Sequence, residues 1–207
     1  VASANLIALA QPQVLRFAVD DLYRGVTAEK LGRYAMILFA LAPLCGQSWQ
    51  KTYGGATNFG DVEPTPDGGY IATRSGSAVA FKTDAQGTLL WEYHLPPGYQ
   101  APEGESVALS PDGNYVVTGS TYVDAPAFQP YMFLTKLSPA GAVIWEQFFA
   151  VQGGGPFVLS AIPGGGYYVG GQYSFLLKTD ENGNQLWQLT AGFVSIRGLA
   201  ATSDGGA

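Results

Sequence analysis

The feature that most constrains the fold of this 207-residue chain is a ten-residue motif that occurs three times. It reads Lys-Thr-Asp-Ala-Gln-Gly-Thr-Leu-Leu-Trp at residues 82–91, Lys-Leu-Ser-Pro-Ala-Gly-Ala-Val-Ile-Trp at 136–145 and Lys-Thr-Asp-Glu-Asn-Gly-Asn-Gln-Leu-Trp at 178–187. A shorter turn signal precedes each copy and ends at Tyr70, Tyr115 or Tyr167. Self-similarity at a nearly fixed period indicates a repeat architecture, in which each unit packs on its neighbours.

Each repeat predicts two β-hairpins. Between the Lys and the Trp, Asp or Ser comes first and Gly fourth, which is typical of a type I turn closed by a left-handed glycine. The flanking segments, such as 78–81 and 88–93, are apolar and rich in residues that favour strands. The shorter signal joins a second strand pair, such as 105–109 and 115–118. Four short antiparallel strands per repeat match one blade of a β-propeller.

The spacing of equivalent positions supports this blade length. Intervals of 45, 52 and 40 residues separate the turn positions Asp67, Asp112, Gly164 and Asp204. Intervals of 42, 54 and 42 residues separate the four tryptophans Trp49, Trp91, Trp145 and Trp187. The second repeat therefore carries extra residues, which we place at 121–130 between its second and third strands. The predicted blades are 54–93, 104–149 and 156–189, with the start of a fourth at 193–207.

The first tryptophan predicts an N-terminal closing strand. Trp49 aligns with the tryptophans of the outermost strands, so residues 49–53 should be a lone outer strand that completes the last blade of a closed ring. The sequence begins at Val1 and stops inside the turn of another repeat. We therefore expect an all-β fold, an incomplete β-propeller over residues 47–207 that belongs to a longer ring.

Composition and charge exclude one class of partner. The net charge is −6, and the few basic residues after position 46 are scattered along the sequence. Binding to nucleic acid phosphates requires clustered Lys and Arg, so we expect no nucleic acid partner.

Residues 1–46 form a leader outside the repeats. Its segment 30–46 has a basic start, about ten apolar residues and small residues at its end, the pattern of a secretory signal peptide. The apolar run is short for a membrane span, so the mature domain should be secreted or on the cell surface, not membrane-spanning. The composition of residues 13–44 also favours a helical leader. A lipidated Cys45 is a further alternative, although Leu44 fits poorly before such a cysteine.

The repeats resemble a known family. Trp-Gln-Lys-Thr-Tyr-Gly-Gly at 49–55, Thr-Pro-Asp-Gly-Gly-Tyr at 65–70 and the Lys-x-Asp-x-x-Gly-x-x-x-Trp motif resemble secreted bacterial β-propeller repeat proteins common in Bacteroidota. The resemblance covers residues 48–207. It implies the fold and export, often with a C-terminal sorting domain, but no particular activity.

A second likeness, to the blades of pyrroloquinoline-quinone enzymes, is weaker. Their motif Ala-x-Asp-x-x-Thr-Gly-x-x-x-Trp is similar to residues 84–91 and 180–187, but here one residue is missing between Asp and Gly and the Thr is absent. The shared part is a turn and a packing tryptophan, so we predict no cofactor.

Residues repeated in every blade should be structural. We expect Lys82, Lys136 and Lys178 to flank turns, and Trp91, Trp145 and Trp187 to be largely buried between sheets, with Trp49 in the same structural class. Asp67 and Asp112 should cap turns, because the spacing of a calcium loop does not follow them. His94 is the only histidine, so a His-rich metal site cannot form and no second histidine is offered for a nucleophile–base arrangement. We expect His94 to be a solvated loop residue. We predict no metal site and assign no catalytic residue.

The variable connections are the best candidates for recognition. In a propeller the connections between strands two and three and between blades lie on one face. Here they vary in length at 54–60, 94–104, 121–130 and 151–156, and variable loops on a rigid scaffold concentrate function. Aromatic and acidic side chains suit a carbohydrate or a peptide. The candidate ligand-binding residues are Arg74, Tyr99, Glu103, Tyr122, Asp124, Phe128 and Tyr173.

Two functions follow from these observations. The first is a secreted or cell-surface propeller that acts as a binding or interaction module. The second is a propeller enzyme of polysaccharide lyase, glycosidase or quinoprotein type, with its active site in the Glu103 and Asp124 loops or in further blades. Glu103 and Glu105 could then form an acid–base pair.

Overall fold

The computed structural model describes residues 50–54, 58–123, 129–151, 155–190, 192, 195–204 and 206. The leader 1–46 with its signal-like segment 30–46, Trp49, Asp124 and Phe128 lie outside these residues. The domain of interest is the compact unit that begins at Lys51.

In the described part of the chain, twelve strands form three four-stranded antiparallel sheets, numbered as blades 1 to 3, and the strands of each sheet pair in chain order. Blade 1 contains β1 (Phe59–Pro64), β2 (Tyr70–Arg74), β3 (Ala80–Thr83) and β4 (Leu89–Tyr93). Blade 2 contains β5 (Tyr99–Leu109), β6 (Tyr115–Val123), β7 (Gln129–Leu137) and β8 (Val143–Ala150). Blade 3 contains β9 (Pro156–Ala161), β10 (Tyr167–Gly171), β11 (Phe175–Thr179) and β12 (Gln185–Thr190), with a 3-10 turn at Gln172–Ser174. The predicted all-β fold of four-stranded antiparallel propeller blades is confirmed.

The hairpin turns form because the motif places the required residues. In the turn after β3, Gly87 has a φ of +73°, a left-handed value that favours glycine. The Asp84 carboxylate accepts hydrogen bonds from the backbone N–H groups of Gln86 and Thr88, both at 2.8 Å. The turn is therefore held by its own first and fourth residues, as the sequence predicts.

The apolar cores lie between the blades. One cluster of buried side chains fills the space between blades 1 and 2 and includes Val79, Tyr115 and Phe133. A second fills the space between blades 2 and 3 and includes Met132, Tyr167 and Leu177. Blade 2 thus buries both of its faces on its neighbours, and blades 1 and 3 each bury one face on blade 2, as expected of a repeat array.

The first strands of the blades run beside one another and are joined by side chains. The Asp61 carboxylate of β1 accepts a bond from the Val107 N–H of β5 at 3.2 Å, and the Ser106 hydroxyl of β5 accepts one from the Leu159 N–H of β9 at 3.3 Å. Residues 195–204 continue this row without forming a strand, since the Ala201 N–H donates to the Ser160 hydroxyl at 3.0 Å. These contacts define the inner row of the propeller.

The extra residues of the second repeat lengthen strands instead of forming only a loop. The β6–β7 ladder continues to the Val123–Gln129 pair, and β5 begins at Tyr99, which pairs with Val123. Blade 2 therefore starts five residues before the position 104 expected from the sequence. Thr121, Tyr122 and Val123 have high strand propensity, which explains the extension.

Residues 50–53 take no part in a ladder. Tyr53 nevertheless packs on blade 1, with its ring 4.8 Å from that of Phe81 and its hydroxyl donating to the Gly87 carbonyl at 2.7 Å.

Candidate functional site

On the face of the short turns, both junctions between blades are built alike. The Trp91 indole N–H of blade 1 donates to the Pro139 carbonyl of blade 2 at 3.0 Å, and the Trp145 indole N–H of blade 2 donates to the Glu181 carbonyl of blade 3 at 3.1 Å. Each ring covers the turn glycine of the next blade, where a Cβ on Gly141 or Gly183 would lie 2.7 Å from the ring. The tryptophans therefore join neighbouring blades.

The tryptophans are less buried than the sequence predicted. Trp91 and Trp145 are half-buried, and Trp187 remains 38% exposed, with its ring 5.9 Å from that of Tyr168. The outermost strands lie at the perimeter, so one side of each indole faces solvent. Among the described residues no turn of a further blade covers Trp187.

The repeated lysines and aspartates form pairs within a blade. Lys82, only 1% exposed, lies 2.5 Å from the Asp67 carboxylate, and Lys136 lies 2.7 Å from that of Asp112. Each pair ties the third strand to the first turn. Hydrogen bonds from Lys82 and then Thr65 lower the pKa of Asp67 to about 2. In blade 3 Gly164 replaces the aspartate, and Lys178 lies over the Tyr168 ring at 5.0 Å.

For Asp112, burial acts to raise the pKa. Hydrogen bonds from Lys136 and Asn114 outweigh that burial and hold the pKa well below its usual range. The repeated charges thus stabilise the blades and are not assembled into a site.

Arg74, expected among the binding residues, lies inside blade 1. Its side chain is 3% exposed and pairs with the Glu92 carboxylate at 2.6 Å. It also donates to the carbonyls of Ala78 and Gly54, both at 3.2 Å, and its guanidinium lies 5.3 Å from the centre of the Phe81 ring. With its donors used within the blade, Arg74 stabilises blade 1 and does not reach the groove described below.

On the face of the variable connections, the junction of blades 1 and 2 is filled. The Tyr99 ring stacks on that of Phe148 with centroids 4.0 Å apart and planes 7° apart. The Tyr93 hydroxyl donates to the Glu146 carboxylate and lies 3.2 Å from the Thr135 hydroxyl. Burial, and then the bond to Glu146, raises the pKa of Tyr93 well above its usual range. Tyr99, a residue that the sequence suggested for ligand binding, thus stacks on Phe148 within blade 2, and Phe148 in turn packs against the core between blades 1 and 2.

The equivalent place between blades 2 and 3 is open. Phe148 faces Phe133 across the β7–β8 ladder, and at the same register of blade 3 Thr190 faces Phe175. Gln188 likewise stands where blade 2 has Glu146. A cavity of about 330 Å³ results, lined by Met132, Ala150, Val151, Gly155, Pro156, Gln172, Tyr173, Phe175, Gln188 and Thr190.

A second depression of about 180 Å³ adjoins this cavity and shares Val151, Gly155 and Gln172 with it. Its remaining lining residues are Glu103, Glu105, Ser120, Tyr122, Pro130 and Phe157. We call the two together the junction groove, with a larger chamber and a smaller, acidic chamber. The groove follows the blade 2–blade 3 junction on the variable-loop face.

The acidic chamber holds two carboxyl groups with no ion pair to either from the described residues. Burial, and then the charge of Glu103, raises the pKa of Glu105. At its edge the Arg197 guanidinium lies over the Phe157 ring at 4.8 Å. No group of three or more metal-ligating side chains occurs in the described part of the chain. The two carboxyl groups of the chamber can accept hydrogen bonds.

Tyr173 is the most exposed aromatic side chain of the groove. It is 43% exposed, and its backbone has a φ of +56° and a ψ of +33°. A left-handed conformation is costly for a tyrosine and persists where the surrounding structure holds it. The turn Gln172–Ser174 thus presents the Tyr173 side chain at the larger chamber.

Of the candidate residues, the structure brings Glu103, Tyr122 and Tyr173 to the groove. Sequence reasoning missed Gln172, Gln188 and Thr190. A signal for two of them exists: residues after the repeated tryptophans read Glu-Tyr-His, Glu-Gln-Phe and Gln-Leu-Thr, so the third repeat lacks both the glutamate and the ring.

No helix in the described part of the chain has the length and apolar character needed to cross a membrane.

Comparisons with known proteins identify the fold alone. No family model matches the chain, and no curated protein matches it. A solved protein of unknown function from Bacteroides caccae is similar over 70% of this chain and 49% of its own length, with 18% identity and a TM-score of 0.51. BamB from Moraxella catarrhalis is similar over 73% of this chain and 43% of its own, with 17% identity and a TM-score of 0.42. The chain spans about half the length of these structures.

Proposed function

We propose that this chain is part of an exported β-propeller that acts as a binding module, and that its ligand occupies the junction groove. The observation that carries this proposal is the contrast between the two junctions. Aromatic rings fill the first, while the second has the same scaffold and leaves a cavity of about 330 Å³. Ligand sites are concave, mostly apolar and lined with a few polar groups.

The lining of the groove supports binding. The larger chamber combines apolar walls from Met132 and Phe175 with the amides of Gln172 and Gln188. The residues come from strands and from connections held by those strands, so the site is preformed. Three side chains that the sequence favoured for recognition, Glu103, Tyr122 and Tyr173, line it.

Binding is tested by isothermal titration against neutral oligosaccharides, acidic oligosaccharides and short peptides. We expect heat from one class, lost on Gln188→Ala. Leu189→Ala is the matched control, because Leu189 is the next residue of β12, is exposed and does not line the groove. Binding that both variants leave unchanged would place the ligand elsewhere.

Export is proposed from residues 30–46, whose pattern of basic, apolar and small residues is that of a signal peptide. Expression with the native leader should yield an exported protein whose N-terminal sequence begins between Cys45 and Ser48. Recovery of an intact leader on a cytoplasmic product would contradict export.

A propeller enzyme acting on polysaccharides is the second candidate. The placement of Glu103 and Glu105 in one chamber favours it, because a pair of carboxyl groups can divide the acid and base roles of glycoside hydrolysis. Burial, and then the charge of Glu103, raises the pKa of Glu105, which is the direction that a general acid requires. Release of new reducing ends from a polysaccharide, abolished by Glu105→Gln with the fold intact, would establish this activity. Binding of the polysaccharide without its cleavage would contradict the enzyme and support the binding module.

A further inference from the structure

The larger chamber is lined by two kinds of side chain. The first kind is aromatic or apolar, chiefly Tyr173, Phe175 and Met132. The second kind is polar and uncharged, namely the amides of Gln172 and Gln188 and the hydroxyl of Thr190, each of which can both donate and accept hydrogen bonds. A ligand that fits must have an apolar side and a rim of groups that also donate and accept.

The charge of the groove further restricts the class of ligand that can bind. Among the described residues, no carboxyl, ammonium or guanidinium group lines the larger chamber. The smaller chamber adds Glu103 and Glu105, and the chain carries a net charge of −6. A ligand with carboxylate or phosphate groups would meet like charge at close range from these two carboxylates. The one described cation beside the smaller chamber, Arg197, lies over the Phe157 ring at its edge and is not among the lining residues. Anionic ligands are therefore disfavoured.

Pyranose sugars have the required two-sided character, since their C–H faces are apolar and their hydroxyl rims donate and accept. We infer that the junction groove binds an uncharged oligosaccharide, with one ring against Tyr173 and hydroxyls on Gln172, Gln188 and Glu103. This inference rests on the proposed binding role and specifies its ligand class. The cavity volume of about 330 Å³ lies near the lower end of the usual range for small-ligand sites, so a few sugar units make the contacts.

The Glu103 and Glu105 carboxylates then accept hydrogen bonds from sugar hydroxyls and disfavour anionic ligands. A carboxylate accepts several hydrogen bonds, and bonds to a charged acceptor are stronger than neutral ones. A basic peptide could engage this acidic chamber, but it would leave the ring and the amides of the larger chamber without matched partners. It is therefore the competing outcome of the test.

The test is isothermal titration of the 207-residue chain at pH 7 with five probes: cellohexaose, xylohexaose, mannohexaose, hexagalacturonate and hexalysine. We expect at least one neutral hexasaccharide to bind. Tyr173→Ala and Gln188→Ala should each weaken it about fivefold or more, as loss of a contact of about 1 kcal/mol requires. Leu189→Ala should stay within about twofold, because a side chain outside the groove has no contact to lose. Circular dichroism verifies that every variant is folded.

A second experiment tests whether the two carboxylates disfavour anionic ligands. Glu103→Gln combined with Glu105→Gln removes both charges and keeps groups that hydrogen-bond. We expect affinity for hexagalacturonate to rise while affinity for the neutral sugar changes less. Unchanged selectivity would overturn the role of the two carboxylates.

The outcomes separate the two proposals. If only hexagalacturonate or hexalysine binds, and Tyr173→Ala weakens it, the groove is a binding site and the neutral-sugar inference is wrong. If no probe gives binding that depends on Tyr173 or Gln188, both the ligand class and the binding role of the groove are wrong. Chemical shifts of the Gln188 side-chain amide on titration give an independent readout of the site.

Discussion

The junction between blades 1 and 2 and the junction between blades 2 and 3 share one half of their construction and differ in the other. On the short-turn face, Trp91 and Trp145 make the same contact with the next blade. On the opposite face, Tyr99 and Phe148 fill the first junction, while Thr190 replaces the phenylalanine at the second and a groove remains. One half of a junction thus holds the array together, and the other half is free to vary.

The largest effect should come from the shared half. We expect Trp91→Ala and Trp145→Ala each to lower the free energy of unfolding by about 3 kcal/mol, the lower end for loss of a large aromatic, because both rings are half-buried. Denaturant titration measures both. The exposed Trp187 is the control, and Trp187→Ala should cost less than about 1 kcal/mol. A large difference between Trp91 and Trp145 would break the equivalence of the junctions.

The filled half should show the next largest effect. Tyr99→Ala removes the ring stacked on Phe148 and opens the first junction, which should cost about 2 kcal/mol. Tyr173→Ala at the second junction should cost less than about 0.5 kcal/mol, since that ring covers a groove. If both variants lose the same free energy of unfolding, Tyr99 and Tyr173 contribute equally to stability, which would contradict the difference between the two junctions.

Lowering the pH should destabilise blades 1 and 2, which contain the lysine–aspartate pairs, and not blade 3, in which Gly164 stands at the position of the aspartate. The folded-state pKa of Asp67 is about 2, below its ordinary 3.8, so its pairing stabilises the fold above about pH 4 and the stabilisation is lost as the pH falls toward 2. Because Asp67 is 57% exposed, solvent screening reduces the contribution to about 1 kcal/mol.

Unfolding of the wild type and of Asp67→Asn between pH 6 and pH 2 measures this contribution. The two stability curves should converge at low pH. Parallel curves would show that the Lys82 pair contributes nothing to the pH dependence. Blade 3 has Gly164 in place of the aspartate and offers no corresponding group.

The smallest effect should come from converting the second junction into the first. Thr190→Phe places a ring at the register of Phe148, so it should fill part of the larger chamber and raise the free energy of unfolding by about 0.5 kcal/mol. It should also abolish ligand binding in the groove. Binding that survives this change would contradict the assignment of the site to the cavity.

The sequence predicts the blades because turn chemistry and strand propensity are local. Gly87 and Asp84 specify their turn within a few residues, and the period of the motif sets the length of each blade. The sequence does not predict that Lys82 meets Asp67, because that contact joins the third strand of the blade to its first turn, with β2 between them. Nor could it show that Arg74 is used internally, since its partner Glu92 lies two strands away.

The candidate site was predicted only in part for a related reason. Residues such as Glu103 and Tyr173, which the sequence assigns to variable connections, are visible there as departures from the repeat, although Glu103 lies in β5. The cavity, however, exists because blade 3 lacks two groups that blade 2 has. Thr190 replaces the ring of Phe148, and Gln188 replaces the carboxylate of Glu146. Recognising that absence requires the register of the β11–β12 ladder, which places Thr190 beside Phe175.

The side chains of Asp61 and Ser106 on the inner row have a further consequence. Each accepts a hydrogen bond from the backbone of the next blade, so part of the otherwise unpaired strand edge of β5 and of β9 is already occupied. An open edge is a template for addition of a foreign strand and hence for aggregation. Two small polar side chains thus protect the centre of the array against such addition, and Ser106→Ala is the change that would reopen the edge of β9.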